Sequence, residues 1–493
     1  MNETLKRREF IQLSVGTGAL CAAWPGLAAL AADQPPAKII SPGCRKSKVK
    51  VARLFLGRPG AHWPHPKLNM DDEVAAYRKR FAEFADELKD VEFVTDQLLT
   101  EPAQVEPLAE QIKQADGVLL IHINMGVVPI LEAILKLGRP TMLYAAPYSG
   151  HEWTRFGAIQ QSPLGARLCC VLTSDYRRLA QAIRPFRAIH HLRHAKILNV
   201  TARSFAAYAE EVRKKFGTEI KQIGIEQMLE ECKAIDDQAA KAEADRWIKQ
   251  AVAVVEPTPE EVFRSCKLAL AFEKLMDQEE ATVMTMDCYG SAFKPICQGF
   301  AFPCVGFVRL NDMGLGGICE SDLRSAMTHI IMQGLTGRPG FISDPTVDES
   351  KNSIILAHCL GSRKMDGPAG PAAPYKLRTI MERQEGVVPQ VTMRVGQKVT
   401  QAILATMDLM PYFTGEVIEV PDLERGCRTK INVRVDGDAR TLWKNWSHGL
   451  HRVTCYGDIV EELQQFCRYM NIALVNEAVE QKPALPVQTA TKT

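Results

Sequence analysis

Apolar runs and helical spacings alternate through the first third of the chain. Residues 49–56, 117–123 and 140–145 are apolar runs that predict strands, and 117–123 is continuously apolar, as expected of a strand buried on both faces. Residues 71–90 instead carry apolar side chains at spacings of three and four, which predicts an amphipathic helix. Strands that alternate with helices in this way predict a parallel sheet with crossover helices.

A second alternating unit is predicted to begin near residue 168. It contains a long segment that is mostly helical, residues 227–278. The strands predicted for this unit are 168–173, 196–200, 219–225 and 281–287. We therefore expect two Rossmann-like α/β domains, residues 49–165 and 166–335.

The pattern changes again from about residue 385, where short β-rich segments are separated by Gly, Pro and Asp. The predicted strands are 391–395, 401–407, 415–420 and 430–435. They indicate an antiparallel, β-rich C-terminal domain over residues 336–480, closed by a helix at 459–470. The Pro-, Thr- and Lys-rich tail, residues 481–493, is expected to be disordered. The predicted fold class is α/β: two Rossmann-like parallel-sheet domains followed by a β-rich C-terminal domain.

The first 31 residues (1–31) have the pattern of an export signal. A charged segment with the pair Arg7-Arg8 precedes a weakly apolar stretch, and residues 29–31 (Ala-Leu-Ala) form a small-x-small cleavage motif. The pattern resembles a bacterial twin-arginine signal peptide, which implies a periplasmic or secreted protein. A membrane anchor is the alternative, but glycines and a proline make the stretch a poor bilayer span. We expect no stable membrane anchor.

The charge balance, the cysteine spacing and a missing glycine motif exclude several classes of protein. The chain has 60 basic and 58 acidic residues and a formal net charge of +2, which gives no electrostatic case for nucleic acid. Its 14 cysteines lack a short regular spacing and contain no Cys-x-x-Cys, so mostly buried free thiols are expected rather than a disulfide framework. No Gly-x-Gly-x-x-Gly follows the first strand, so a dinucleotide is not indicated.

Chemistry-bearing residues concentrate in the last third of the chain. An Asn445-Trp446 pair is followed by His451 on a Gly-containing turn and then by Tyr456-Gly457 and a helix. This arrangement is similar to the C-terminal signature of L-fucose isomerases, which belong with the L-arabinose isomerases to one superfamily. Counting back five residues from the Tyr-Gly pair, the resemblance places the metal-binding histidine of the family on His451.

Two acidic motifs extend the resemblance. Cys319-Glu320-x-Asp322 resembles the first acidic ligand motif of the family, and Asp344, 24 residues after Glu320, matches the second in a Phe-Ile-Ser-Asp strand end. The layout of two Rossmann-like domains before a β-rich domain agrees with the family. The resemblance implies a metal-dependent sugar isomerase that assembles as a homo-oligomer, with Glu320, Asp344 and His451 as metal ligands.

The chemistry of an aldose–ketose isomerisation accounts for these residue types. The reaction moves a proton between C1 and C2 through an enediol, and a divalent cation can hold and polarise the two vicinal oxygens. Two carboxylates and one imidazole suit Mn²⁺ or Mg²⁺ better than a thiolate-seeking metal. Glu320 and Asp344 are also the candidate catalytic acid and base, and the sequence does not decide between them.

Four further residues are candidates for the same site. His358 follows a predicted strand and could be a fourth ligand or an interior histidine, and His448 competes with His451. Trp446 could stack on a sugar ring or pack in the core. Arg428 could bind a sugar hydroxyl or pair at the surface. Asp322 is expected to be a surface acid of a helix.

Two other functions remain compatible with the sequence. One is an exported sugar-binding protein that kept the scaffold without turnover, and the other is a sugar epimerase or lyase. For the isomerase, the ligand positions predict a site in the cleft between the second domain and the C-terminal domain, because Glu320 closes the former and His451 belongs to the latter. The first domain would then cap a neighbouring subunit's cleft.

Overall fold

Residues 38–480 are described by a computed structural model of the chain. The export signal predicted for residues 1–31 and the disordered tail predicted for residues 481–493 lie outside the described residues. Within 38–480 the fold is mixed α/β, with two parallel sheets and a C-terminal antiparallel barrel. These broad features agree with the predicted fold class.

The first domain is built on a five-stranded parallel sheet with the order β2-β1-β3-β4-β5. Its strands are β1 (Val49–Leu56), β2 (Val91–Leu99), β3 (Gly117–His122), β4 (Thr141–Ala145) and β5 (Leu168–Leu172). Its helices are α1 (Met70–Glu83), α2 (Ala109–Gln114), α3 (Val128–Leu135) and α4 (Trp153–Gln161), with 3₁₀ turns at Pro102–Leu108 and Pro163–Gly165.

Burial on both faces of this sheet explains its apolar strands. Every residue of the central strand β3 is buried, as its continuous apolar run predicts. Helix α1 begins where the side chain of Asn69 accepts hydrogen bonds from the amides of Asp71 and Asp72. Its buried face carries the apolar spacing that predicts the helix.

The second domain contains a four-stranded parallel sheet with the order β10-β9-β6-β7. Its strands are β6 (Lys196–Val200), β7 (Glu219–Ile223), β9 (Val283–Met286) and β10 (Gly316–Ile318), with a short strand β8 (Ala253–Val254) outside this sheet. The helices before and within it are α5 (Arg178–Gln181), α6 (Arg184–His194), α7 (Ala206–Phe216), α8 (Ile225–Lys233), α9 (Asp237–Gln250), α10 (Pro259–Gln278), α11 (Cys304–Asp312) and α12 (Leu323–Thr336), with a π-helical turn at Phe293–Gln298.

One predicted strand belongs to a different sheet. The segment 168–173 is predicted to open the second domain, but β5 pairs in parallel with β4, from Thr141 opposite Leu168 onward, at the edge of the first sheet. Helix α4 supplies the crossover between β4 and β5, so the first sheet extends past the predicted boundary at residue 165. An apolar strand pattern does not tell which of two adjacent parallel sheets an edge strand joins.

The C-terminal domain is an antiparallel barrel in which the pairing of β15 with β16 closes the order β15-β18-β11-β12-β17-β16. The strands are β11 (Phe341–Asp348), β12 (Ser353–His358), β15 (Lys398–Ala402), β16 (Leu409–Glu419), β17 (Thr429–Val435) and β18 (Arg452–Tyr456), and β19 (Ala473–Asn476) adds to β16 in parallel. The helices are α13 (Ala439–Asn445) and α14 (Val460–Met470), with a 3₁₀ turn at Glu349–Lys351.

A small separate sheet replaces one strand that the sequence predicts. Strands β13 (Tyr375–Ile380) and β14 (Glu385–Val391) form a hairpin, and β13 also pairs in parallel with β8 of the second domain. The predicted strand 391–395 is therefore displaced toward the N-terminus, and β13 is not predicted at all. The hairpin ties the second domain to the barrel.

Helix hydropathy and the state of the cysteines can be described for residues 38–480. Between residues 38 and 480, no helix is long and apolar enough to cross a bilayer. The thirteen cysteines in this range are free thiols, and most are buried, in agreement with the absence of a disulfide pattern.

The close packing of β10 against α11 gives a test of this fold. A Cβ added at Gly317 would overlap the backbone of Phe307, so Gly317→Ala must push the strand and helix apart. We expect a loss of about 1–3 kcal/mol in the free energy of unfolding, the usual cost of overpacking. Calorimetric melting of the variant should show a lower midpoint.

Gly157→Ala is the matched control. Gly157 lies on α4, and a Cβ added there would meet no other atom within 4 Å. Alanine at this position should therefore leave the protein unchanged or stabilise it by up to about 1 kcal/mol. Equal melting midpoints for the two variants would contradict the packing described here.

Candidate metal centre

The first acidic residue of the site lies on a strained turn after β10. Glu320 and Ser321 have φ angles of 63° and 53°, in the left-handed region that residues with a Cβ rarely adopt. Ser321 is fixed there by its amide, which donates to Met286 O at 3.0 Å, and by its hydroxyl, which donates to Asn199 Oδ1 at 2.6 Å. Such strain persists where the surroundings hold it, and it clusters at functional sites.

The other site residues come from adjacent barrel strands. Asp344 lies on β11, which has β12 on one side and β18 on the other. His358 is the last residue of β12, and His451 directly precedes β18. Strand order alone therefore brings these three side chains to the same end of the barrel, beside Glu320 of the second domain.

The distances show that the two acids and two histidines converge. His451 Nε2 lies 3.1 Å from Asp344 Oδ1 and 3.8 Å from Glu320 Oε2. His358 Nε2 lies 3.8 Å from Glu320 Oε1. Ligand atoms of Asp344, His358 and His451 all lie within 4.8 Å of one another. The structure thus brings together the three residues that the sequence singles out, and His358 joins them.

Asp322 orients His451 from the opposite side. Its Oδ2 accepts a hydrogen bond from His451 Nδ1 at 3.0 Å, while the same carboxylate caps helix α12 through the amide and hydroxyl of Ser325. The expectation that Asp322 is a plain surface acid is wrong. A carboxylate on the far nitrogen of a ligating histidine fixes its tautomer and raises its basicity.

The environments of the two acids move their pKa values in opposite directions. Burial raises the pKa of Glu320, and the negative charges of Asp344 and Asp322 add to this against the opposing charge of His451. Burial also acts to raise the pKa of Asp344, but its close contact with His451 and the charge of His358 lower it overall. Side chains of both acids remain about one-third exposed, at 32% and 33%.

The two histidines also differ. Burial and the neighbouring charge of His451 lower the pKa of His358 to about 4. Burial opposes protonation of His451 as well, but its hydrogen bond to Asp322 and its close contact with Asp344 raise its pKa to about 10.

Several buried ligand atoms in this cluster have no hydrogen-bond partner. These atoms are Asp344 Oδ1, His451 Nε2 and both ring nitrogens of His358. Buried polar atoms normally have hydrogen-bond partners, so several unpartnered ligand atoms in one cluster fit a bound cation. Carboxylate oxygens with imidazole nitrogens form a donor set suited to a divalent ion such as Mn²⁺ or Mg²⁺.

Three sequence candidates do not join the cluster. His448 is exposed on the turn before His451, and its carbonyl accepts from Arg324. Trp446 packs against the guanidinium of Arg452, 4.1 Å from the ring centroid, which matches the packing alternative. The guanidinium of Arg428 is buried and is already bound by other groups of the protein. Those groups are Thr379 O, the Thr379 hydroxyl, Glu424 and Glu256.

A cavity of about 310 Å³ adjoins the cluster on the side of Asp322 and His451. Its wall also includes Tyr208, Arg324 and His448, whereas Glu320 and Asp344 do not line it. A separate cavity of about 430 Å³ lies at the carboxyl ends of β3, β4 and β5 in the first domain. The first cavity places room for a small molecule beside the candidate metal ligands.

A comparison with known proteins finds a sugar isomerase that is similar over about half of this chain. The chain is 26% identical over 278 residues to the "Sulfoquinovose isomerase" of Clostridium sp. (strain MSTE9). The matched stretch covers 52% of this chain and 58% of that protein, so the chain spans little more than half of its relative's length. A comparison with models of known protein families found no match.

Proton release on metal binding tests the role of His451. Because the pKa of this ring is about 10 without metal, a cation that binds Nε2 between pH 7 and 9 must displace a proton. Mn²⁺ affinity should therefore rise about tenfold per pH unit over this range, one proton being released. Calorimetric titration in buffers of different ionisation enthalpy counts that proton directly.

Asp322→Asn is the informative variant, because asparagine can still cap α12. Losing the carboxylate should lower the pKa of His451, make the pH dependence shallower, and weaken Mn²⁺ binding at pH 9 by about 10–100-fold. A wild-type Mn²⁺ affinity that does not change with pH would contradict ligation by His451.

Proposed function

We propose that this protein is a metal-dependent aldose–ketose sugar isomerase. The observation that carries the proposal is the convergence of Glu320, Asp344 and His451, with unpartnered buried ligand atoms, where the second domain meets the barrel. Mn²⁺ or Mg²⁺ would be held by these three residues, with His358 within reach as a fourth. The similarity to a protein named as a sugar isomerase supports the same reaction class.

The residues of the site fit a proton transfer between neighbouring carbons. A divalent cation, when bound, supplies Lewis-acid polarisation of two vicinal sugar oxygens. Glu320, whose pKa is raised, is suited to take a proton from one carbon and return it to the next through an enediol. Asp344, whose pKa is lowered, stays ionised and holds its position beside His451.

The substrate we propose is an aldose that carries a negative charge. The cavity beside His451 contains Arg324, whose guanidinium donates to the carbonyl of His448 and forms no ion pair within residues 38–480. A guanidinium without a carboxylate partner is a ready site for a sulfonate or phosphate group. The name of the similar Clostridium protein, a sulfoquinovose isomerase, supports a sulfonated sugar as the first substrate to test.

Assembly as a homo-oligomer is part of the proposal. The cavity of the first domain is lined by Trp63, Tyr148 and Trp153, and the last two side chains are 80% and 56% exposed. Exposed aromatic side chains grouped around a cavity are typical of interaction surfaces. A second copy of the chain seated there would shield them and give the first domain a function.

Glu320→Gln tests the catalytic assignment. The amide is nearly isosteric with the carboxylate, but it can neither accept the substrate proton nor supply a negative charge to the cation. We therefore expect kcat/KM to fall by at least about 100-fold. Isomerisation of a panel of aldoses, including sulfoquinovose and L-fucose, would be followed in D₂O by NMR for deuterium entering the product.

Glu226→Gln, the same change on an exposed position of α8, is the control and should keep wild-type activity. A fully active Glu320→Gln protein would rule out the assignment. Tight sugar binding without turnover by the wild type would instead favour the sugar-binding alternative, and a product changed at another carbon would favour an epimerase or lyase.

Arg324→Gln tests the anionic substrate. We expect KM for the sulfonated sugar to rise about tenfold or more with little change in kcat, since a charged hydrogen bond contributes about 1.5–3 kcal/mol. The same variant should leave kinetics with an uncharged aldose unchanged. Parallel losses on both sugars would show that Arg324 has only a structural role.

A further inference from the structure

A second group of potential ligands lies on the other side of Asp344. We call Cys359, Cys427 and Glu382 the thiol cluster. Ligand atoms of these three residues lie within 4.8 Å of one another. The proposed isomerase mechanism uses none of them.

Strand pairing explains how residues so distant in the chain meet. Cys359 follows His358 at the end of β12, and Cys427 lies two residues before Thr429, the first residue of β17. His358 and Thr429 are antiparallel partners, so both cysteines emerge at the same end of the barrel. Glu382 lies in the turn between β13 and β14 and reaches this end from the small sheet.

The distances fit a tetrahedral ion with sulfur ligands. Two thiolates at the usual bond length of about 2.3 Å from Zn²⁺ lie roughly 3.8 Å apart, and a thiolate and a carboxylate oxygen roughly 3.6 Å apart. Here Cys359 Sγ and Cys427 Sγ are separated by 3.9 Å. Cys427 Sγ lies 3.3 Å from Glu382 Oε1 and 3.8 Å from Asp344 Oδ2.

The charges around the thiol cluster also favour a cation. Glu382 forms no ion pair with a lysine or arginine within residues 38–480. The negative charge of Glu382 acts on Glu320, so the carboxylates here repel one another. Cys359 is 3% exposed, and a buried thiol beside carboxylates becomes a stable thiolate only if a metal compensates its charge.

We propose that Cys359, Cys427 and Glu382 bind a thiophilic divalent cation, Zn²⁺ in the first instance. Binding would release the two thiol protons and form two metal–sulfur bonds. The three protein ligands would leave one position of a tetrahedral ion open. Asp344 lies beside this site, with Oδ2 3.8 Å from Cys427 Sγ and Oδ1 facing His451.

The thiol cluster does not depend on the isomerase proposal, since its three ligands lie outside the first site. A disulfide between Cys359 and Cys427 is the competing state, and it would need the sulfur atoms to approach to about 2.05 Å. The experiment must therefore separate metal binding, disulfide formation and the first cation site.

Cadmium titration of the reduced, full-length protein provides that separation. Cd²⁺ is a spectroscopic stand-in for Zn²⁺, because its thiolate complexes absorb in the ultraviolet and its carboxylate and imidazole complexes do not. We expect a thiolate–cadmium band that saturates at one ion per chain. Cys427→Ser should abolish the band and weaken Cd²⁺ binding by more than the roughly 10–100-fold that an outer ligand partner contributes.

Cys170→Ser, at a half-buried cysteine on the edge strand β5, is the control and should retain the band. His451→Gln, which removes the first site, should retain it as well. Glu382→Gln, on an exposed turn, should keep the band at weaker affinity and guards against misfolding of the cysteine variant. The proposal is overturned if reduced wild type shows no band, if Cys427→Ser keeps it, or if the native protein contains a Cys359–Cys427 disulfide.

Discussion

The structure around the candidate site depends on one imidazole held between two domains. His451 meets Asp322 of the second domain through Nδ1 at 3.0 Å and Asp344 of the barrel through Nε2 at 3.1 Å. The hydrogen bond to Asp322 fixes the tautomer and direction of the ring. Nε2 then faces the carboxylates of Asp344 and Glu320. The position of Glu320 follows, because its strained turn immediately precedes the Asp322 cap. A change in how the two domains pack would therefore move Glu320 and Asp322 away from Asp344 and His451.

Much of the fold could be predicted because its strands and helices follow simple periodicities. The buried strands β1, β3 and β4 and the helix α1 lie where the apolar pattern places them. The sheet to which β5 belongs could not be read from the same pattern, since an edge strand of either sheet would look alike. The hairpin of β13 and β14 could not be placed from the sequence pattern either, because β13 pairs with β8, more than a hundred residues earlier.

The site was predictable only as far as local motifs extend. Glu320, Asp344 and His451 stand in recognisable local patterns, and the structure brings them together. The contact of Asp322 with His451 could not be predicted, because an aspartate before a helix has the same local sequence whether it only caps the helix or also binds a histidine. The partners of Arg428 could not be predicted either, because nothing in its sequence neighbourhood shows that Glu256, 172 residues away, contacts its guanidinium. Long-range pairing decided both outcomes, as it also assembled the thiol cluster.

Diffraction from crystals grown with Mn²⁺ tests whether Glu320, Asp344 and His451 share one divalent cation. Anomalous differences recorded at the manganese absorption edge locate the ion without reference to activity. We expect a strong peak for one ion bonded to a carboxylate oxygen of each acid and to His451 Nε2, while Asp322 keeps its hydrogen bond to Nδ1. A peak elsewhere, or His451 still in contact with Asp344 and no ion between them, would contradict a shared cation.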